Sequence, residues 1–282
     1  QQGQSALAWA SLRQQYSAVD ALLKAGADVN QTHVDGATAF FYAASTGNLE
    51  LMKQLQAQGA DIHIQLKESG MNALMLAIHQ GRLDMARWLL DQGMDIEVGN
   101  RAGVTPLMMA IDQNQTAIFF DLLKRDASIN AENQSGWNPL MYSLVRQRPA
   151  MFQHLIELNS DINTQDQRGI TPLMVAAGNG YTDYLITLLE NKANPNISDK
   201  RGFTPLMGAA WSGHTHAVKH LIQYGAEINA IDGRGKSALI WAAGNGHQAI
   251  VEALIEAKAD LQAEDNLGRT ALISAAATGQ LA

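Results

Sequence analysis

The segment Asp166-Gln167-Arg168-Gly169-Ile170-Thr171-Pro172-Leu173-Met174-Val175-Ala176-Ala177 returns one period later as Asp199-Lys200-Arg201-Gly202-Phe203-Thr204-Pro205-Leu206-Met207-Gly208-Ala209-Ala210. Extending outward from its glycine gives Gly3, Gly36, Gly70, Gly103, Gly136, Gly169, Gly202, Gly235 and Gly268, with seven gaps of 33 residues and one of 34. A second series lies 11 residues after the first: Gln14, Gly47, Gly81, Asn114, Gln147, Gly180, Gly213, Gly246 and Gly279. A third lies 23 residues after it: Gly26, Gly59, Gly93, Asp126, Asn159, Lys192, Gly225 and Lys258. Three series in one register make the chain a repeat array, and they account for its length without a second domain.

Each unit can be read as local structure. The Thr, Ser or Asn two residues after the first glycine can accept a hydrogen bond from a free amide of a following helix. Pro106, Pro139, Pro172 and Pro205 then stand at a first helical position, where a missing N–H costs nothing. That first helix carries small pairs such as Ala43-Ala44, Ala176-Ala177 and Ala242-Ala243, which let neighbouring helices approach closely. A tight reversal at the second series leads to a second helix ending in pairs such as Leu89-Leu90 and Leu188-Leu189. The third series supplies the residue after that helix, where Gly is favoured and Asn tolerated. A short extended stretch, such as Ala226-Glu227-Ile228-Asn229, leads into an Asp-x-x-Gly turn, such as Asp232 to Gly235.

This pattern resembles the ankyrin repeat, whose period is about 33 residues and whose signature is Thr-Pro-Leu-His-x-Ala. The resemblance runs the length of the chain. It implies an all-α solenoid of about eight and a half helix-turn-helix units with short β-hairpin-like turns, forming a single domain over residues 1–282. The repeats fall near 1–33, 34–66, 67–99, 100–132, 133–165, 166–198, 199–231 and 232–264, with a partial one at 265–282. The signature His is replaced by Met75, Met108, Met141, Met174 and Met207, or by Phe41, Ile240 and Ile273, so apolar filler stands where a polar link is usual. Repeats four and five drift furthest, and Pro149 near the start of a second helix reads as an irregularity. Leu272 and Ile273 are expected to lack a covering helix in the last unit.

Composition bounds the function. Hydrophobic residues make up 46% and charged residues 17%, as in a folded chain. The net charge of -7 and pI near 5.6 count against a nucleic-acid partner. No apolar run is long enough for a membrane span. The absence of cysteine excludes disulfides, zinc–thiolate sites and thiol catalysis. A cysteine-free chain of this length suggests an exported bacterial protein of the periplasm, with the cytoplasm as the alternative. The start at Gln1-Gln2-Gly3 is read as the loss of something upstream, a signal peptide among the alternatives.

Candidate catalytic and ligand motifs reduce to repeat chemistry. Gly235-Lys236-Ser237 imitates the end of a phosphate loop, but Ala230 occupies the leading glycine position. His216 and His220 share a helix face but lack a third ligand nearby, so no metal or cofactor is expected. No nucleophile elbow or His-Glu-x-x-His motif occurs, and no enzymatic activity or small-molecule substrate is expected.

The family resemblance implies that the turn tips and first helices form a concave face that binds protein. The residue before the small pair gives Trp9, Tyr42, Leu76, Met109, Tyr142 and Trp241 as candidates, and the residue after the pair gives Trp211. The residue after the first glycine gives Met71, Val104, Trp137, Ile170 and Phe203. Four of the five tryptophans fall in this set, and Trp and Tyr are enriched at binding hot spots. Two readings stand side by side: the rings form a binding stripe, or they pack between repeats. The later tips are basic, at Arg168, Lys200, Arg201, Arg234 and Lys236, and either steer an acidic partner or are neutralised by the aspartates of the same turns. The function expected is capture of one specific protein partner, including the case of a bacterial immunity or inhibitor protein. The alternative is a multi-partner scaffold or the repeat portion of a larger protein.

Overall fold

A hydroxyl or amide oxygen starts the first helix of the repeats. In the computed structural model, which describes residues 5–33 and 35–279, Thr38, Thr105, Thr171 and Thr204 each accept a hydrogen bond from the backbone amide three residues on. Asn72 and Asn138 do the same with a side-chain amide oxygen, and Ser5, Ser237 and Thr270 with a hydroxyl. Such a cap contributes about 1 kcal/mol to a short helix. These helices are only seven or eight residues long, too short to persist without packing.

The described residues contain seventeen helices and no strand. The inner, first helices are α1 (Ala6–Leu12), α3 (Ala39–Thr46), α5 (Ala73–His79), α7 (Pro106–Asp112), α9 (Pro139–Val145), α11 (Pro172–Asn179), α13 (Pro205–Ser212), α15 (Ala238–Gly244) and α17 (Ala271–Ala277). The outer, second helices are α2 (Tyr16–Lys24), α4 (Leu49–Ala57), α6 (Leu83–Asp91), α8 (Thr116–Leu123), α10 (Pro149–Glu157), α12 (Thr182–Glu190), α14 (Thr215–Gln223) and α16 (Gln248–Glu256). The all-α repeat architecture is therefore the one expected. Pro149 causes no irregularity, because it stands at the first position of α10.

The chain divides into two compact units, Gln1–Tyr142 and Ser143–Ala282, with the division inside α9. In the first unit α1 packs on α3, α3 on α5 and α5 on α7. The small pairs make this approach possible, since Ala43 and Ala44 are fully buried. Met75, Met108 and Phe41 fill the place of the signature His and are buried as well. In the second unit α11, α13, α15 and α17 pack in sequence, with α12, α14 and α16 packing in sequence outside them. Ala176, Ala177, Ala209 and Ala210 are fully buried there. Leu272 is 79% exposed and Ile273 48%, so no outer helix covers α17 among the described residues.

A polar link between successive repeats lies further along the unit. In the second unit Asn163, Asn196 and Asn229 each accept, at 2.8–2.9 Å, the backbone amide 31 residues on, at Asn194, Glu227 and Asp260. Asn30 makes the same bond to Asp61 in the first unit, at 2.7 Å.

All left-handed residues among those described lie in the three periodic series, including Gln14, Asn114, Asp126, Gln147, Asn159, Lys192 and Lys258. Glycine persists where a second constraint adds to the dihedral one. A Cβ on Gly169 would lie 2.9 Å from the Lys200 backbone nitrogen and 3.1 Å from Asp199 Cα, whereas one on Gly225 would meet nothing within 4 Å. This contrast explains why aspartate, asparagine and lysine enter the third series and none enters the first. Gly225→Ala should cost about 1 kcal/mol, the left-handed penalty alone. Gly169→Ala should cost at least ~2 kcal/mol, since the backbone of the next tip must also move. Urea unfolding of the two variants checks this, and equal losses would contradict it.

Candidate functional site

The tips are built by one side-chain oxygen each. Asp166, Asp199, Asp232 and Asp265 turn Oδ1 onto the backbone amides two and four residues ahead, at 2.8–3.0 Å. Each turn is closed by the amide of the same aspartate donating to the carbonyl four residues on, as from Asp199 to Phe203 and from Asp232 to Lys236. Successive tips are joined by backbone bonds from Lys200 to Arg168, Gly233 to Arg201 and Asn266 to Arg234. Asn100 and Asn133 play the aspartate's part in the first unit.

This arrangement buries the carboxylates and leaves the cations out. Asp199, Asp232 and Asp265 are 6–8% exposed, while Arg168, Lys200, Arg201 and Arg234 are exposed. Arg201 keeps a long contact of 3.5 Å with Asp199, and Arg269 a firm one of 2.8 Å with Asp265. Arg168, Lys200 and Arg234 form no ion pair among the described residues. Oδ1 of each of these aspartates is thus committed to backbone amides, and ion pairing through Oδ2 reaches Arg201 and Arg269 but leaves Arg168, Lys200 and Arg234 uncovered.

In the first unit the aromatic candidates pack against the turns. Trp9 is half-buried, with the Arg13 guanidinium 5.0 Å from its ring centroid and His33 edge-on at 6.1 Å. His33 in turn meets Tyr42 edge-on at 5.8 Å. The Tyr42 hydroxyl donates to Asp35 Oδ2 at 2.7 Å. Burial and this carboxylate push the Tyr42 phenol well above its ordinary range. Burial opposes ionisation of Asp35, but the bonds from Tyr42 and the Ala37 amide outweigh it and lower its pKa. Trp137 meets Tyr142 edge-on at 5.6 Å, and Asn133 Nδ2 donates to the Tyr142 hydroxyl at 2.9 Å. Met71, Leu76 and Val104 are half-buried. Tyr42, Met109 and Tyr142 are only 9%, 7% and 9% exposed, which corrects the expectation that the residue before the small pair lies on the surface. At the two tyrosines, the hydroxyl bonds back to the turn and draws the ring down onto it.

In the second unit the candidates converge. Trp211 follows the Ala209-Ala210 pair and is 53% exposed. Trp241 is half-buried, 6.5 Å from Trp211 and 5.9 Å from Phe203, each in edge-on geometry. Its indole N–H donates to Asp232 Oδ2 at 3.1 Å, and Lys236 Nζ sits 4.2 Å from its ring centroid. His247 Nε2 lies 3.1 Å from the Trp211 carbonyl oxygen, fixing the end of α13 when that nitrogen carries the proton. Together Arg201, Phe203, Trp211, Asp232, Gly233, Arg234 and Trp241 line a cleft of about 630 Å³. Ile170 is half-buried on its own tip and does not line this cleft. Asp232 and Gly233 were not singled out as site residues from sequence. A partly buried indole N–H needs an acceptor, and that need is the signal that points to Asp232.

Models of the family described as "Ankyrin repeats (3 copies)" match residues 40–133, 95–166, 140–232 and 231–282, and a second ankyrin-repeat model matches 7–56. The chain belongs to the ankyrin-repeat family. It is 37% identical over 87 residues to the Ankyrin repeat and SAM domain-containing protein 6 of Rattus norvegicus, covering 29% of this chain and 10% of that protein. It is 41% identical over 71 residues to Protein phosphatase 1 regulatory subunit 27 of Mus musculus, covering 25% of this chain and 46% of the relative. Protein PhlB of Serratia liquefaciens is 36% identical over 97 residues, covering 34% and 43%. The matched stretches thus span less than half the length of each of these relatives. Ankyrin repeats are a general protein-interaction module and typically non-enzymatic. No helix among the described residues is long and apolar enough to cross a membrane.

The Asp265–Arg269 contact makes the tip chemistry measurable. The hydrogen bonds from Arg269 hold the Asp265 carboxyl at about 2, below the ordinary aspartate value of 3.8, against the opposing effect of burial. A lowered carboxylate pKa means that the link stabilises the fold above the unfolded value and is lost as pH falls through the folded one. Arg269→Ala should raise the Asp265 pKa toward 3.8, read from its carboxyl carbon by NMR titration. An unmoved titration would contradict this reading of the tip.

Proposed function

We propose that the chain captures a specific protein partner on the face formed by its tips and inner helices, with the second-unit cleft as the principal contact. The observation that carries this reading is Trp211, 53% exposed beside the half-buried Trp241 and Phe203. Large aromatic side chains left partly in water gain most when a partner covers them, and Trp is prominent among hot-spot residues. The backbone around the cleft is fixed by the tip bonds and by the packing of α13 on α15, so the site is preformed and binding should need little backbone change.

The mode of action proposed is that of an inhibitor or immunity protein, which holds an enzyme by protein–protein contact. Its support is the name of one relative, a regulatory subunit of a phosphatase, together with the lack of any catalytic constellation in the sequence. The cysteine-free composition supports placing this activity in the periplasm.

The test is affinity capture from the source organism, with wild type, Trp211→Ala and Tyr142→Ala in parallel. Trp211→Ala should weaken partner binding by on the order of 2 kcal/mol with an unchanged melting temperature. Tyr142→Ala, which removes a buried ring, should lower the melting temperature instead. Full retention of the partner by Trp211→Ala would overturn the site.

A further inference from the structure

The second-unit cleft has a chemistry beyond its shape. Its walls are three rings, Phe203, Trp211 and Trp241, set at 69° and 78° to one another, so they present edges and faces to one small volume. Its rim carries two guanidinium groups, Arg201 and Arg234. The carboxylate that lines it, Asp232, is already engaged: Oδ1 accepts two backbone amides and Oδ2 the Trp241 indole. Arg234 forms no ion pair among the described residues, and Arg201 has only the 3.5 Å contact with Asp199. The cleft therefore offers apolar surface beside one unpaired guanidinium, Arg234, and a second, Arg201, whose ion pair is long and exposed.

We propose that this cleft binds an acidic segment of a partner protein, with an apolar or aromatic side chain packed against the ring surfaces that Phe203, Trp211 and Trp241 turn toward the cleft and neighbouring carboxylates on Arg201 and Arg234. This rests on the protein-binding reading above and names the chemistry of the partner. Charge complementarity selects the occupant. A cationic side chain would find aromatic faces here, but the two guanidiniums repel it, and Lys236 already occupies one face of Trp241. The guanidinium fork matches a carboxylate in a planar, two-bond geometry that water competes with poorly beside apolar walls. The basic character continues along the bonded tips at Lys200 and Arg168, so an extended acidic segment meets further cations beyond the cleft. A volume of about 630 Å³ holds one large side chain and its immediate neighbours.

The experiment uses the full chain and four probes read by calorimetry: a blocked peptide of two phenylalanines flanked by glutamates, its glutamine counterpart, its lysine counterpart, and single-stranded oligothymidylate. The glutamate peptide should bind most tightly and weaken as salt is raised. Arg234→Gln should weaken it about fivefold, the weight of one exposed charge contact, without altering the melting temperature. Trp211→Ala should abolish it. Equal binding of the glutamate and glutamine peptides, both lost in Trp211→Ala, would overturn the acidic-partner proposal and leave the protein-binding cleft standing. Preference for the lysine peptide or for oligothymidylate would overturn the proposal outright. Peptide binding indifferent to Trp211→Ala would remove both the proposal and the cleft beneath it.

Discussion

Three reversals per repeat, each needing one residue on the left-handed side of φ, set the geometry on which everything else in this chain rests. One reversal separates inner from outer helix, one ends the outer helix, and one forms the tip. Because each recurs at a fixed place in the 33-residue repeat, the tips and inner helices within each compact unit return to equivalent positions. Side chains 33 residues apart then become neighbours, and short helices that would not persist alone gain a packed core. Glycine is one solution to this constraint. Lys192 and Lys258 show that the backbone path holds even where the residue type does not favour it.

The tips convert that regularity into a surface. An aspartate oxygen that accepts two amides is withdrawn from the solvent, while the arginines and lysines between aspartate and glycine remain in it. The same turn that shapes the backbone thereby sorts charge, burying the negative partner and displaying the positive one. On a chain with net charge -7 this gives the second unit a local reversal of sign beside its exposed tryptophan. Fold and site share one structural device here. An aspartate-to-alanine change in a tip would disturb both.

The repeat was legible because periodicity is a global property and survives local substitution. Gln14 and Gln147 do not announce a left-handed residue, yet their place in the register does, and the structure puts them there. The candidate face was legible only in outline. Spacing places Tyr42, Tyr142 and Trp241 on one side of an inner helix, but it does not fix how deeply each ring lies. That depth depends on a partner in the turn: Asp35 for Tyr42, Asn133 for Tyr142, Asp232 for Trp241. Met109 has no such polar anchor and is buried by packing alone. Whether a turn aspartate neutralises a neighbouring arginine was equally beyond the sequence, since it turns on which way each carboxylate oxygen points.

The central claim is that the inner-helix face of the second unit, and not the outer-helix side, meets the partner. Hydroxyl-radical footprinting of the tryptophans, with and without the captured partner, tests it most directly. The account predicts strong protection of Trp211, weaker protection of Trp241, and no change at Trp88, which lies on the outer helix α6 against Phe40. Protection of Trp88 with Trp211 left fully reactive would contradict it.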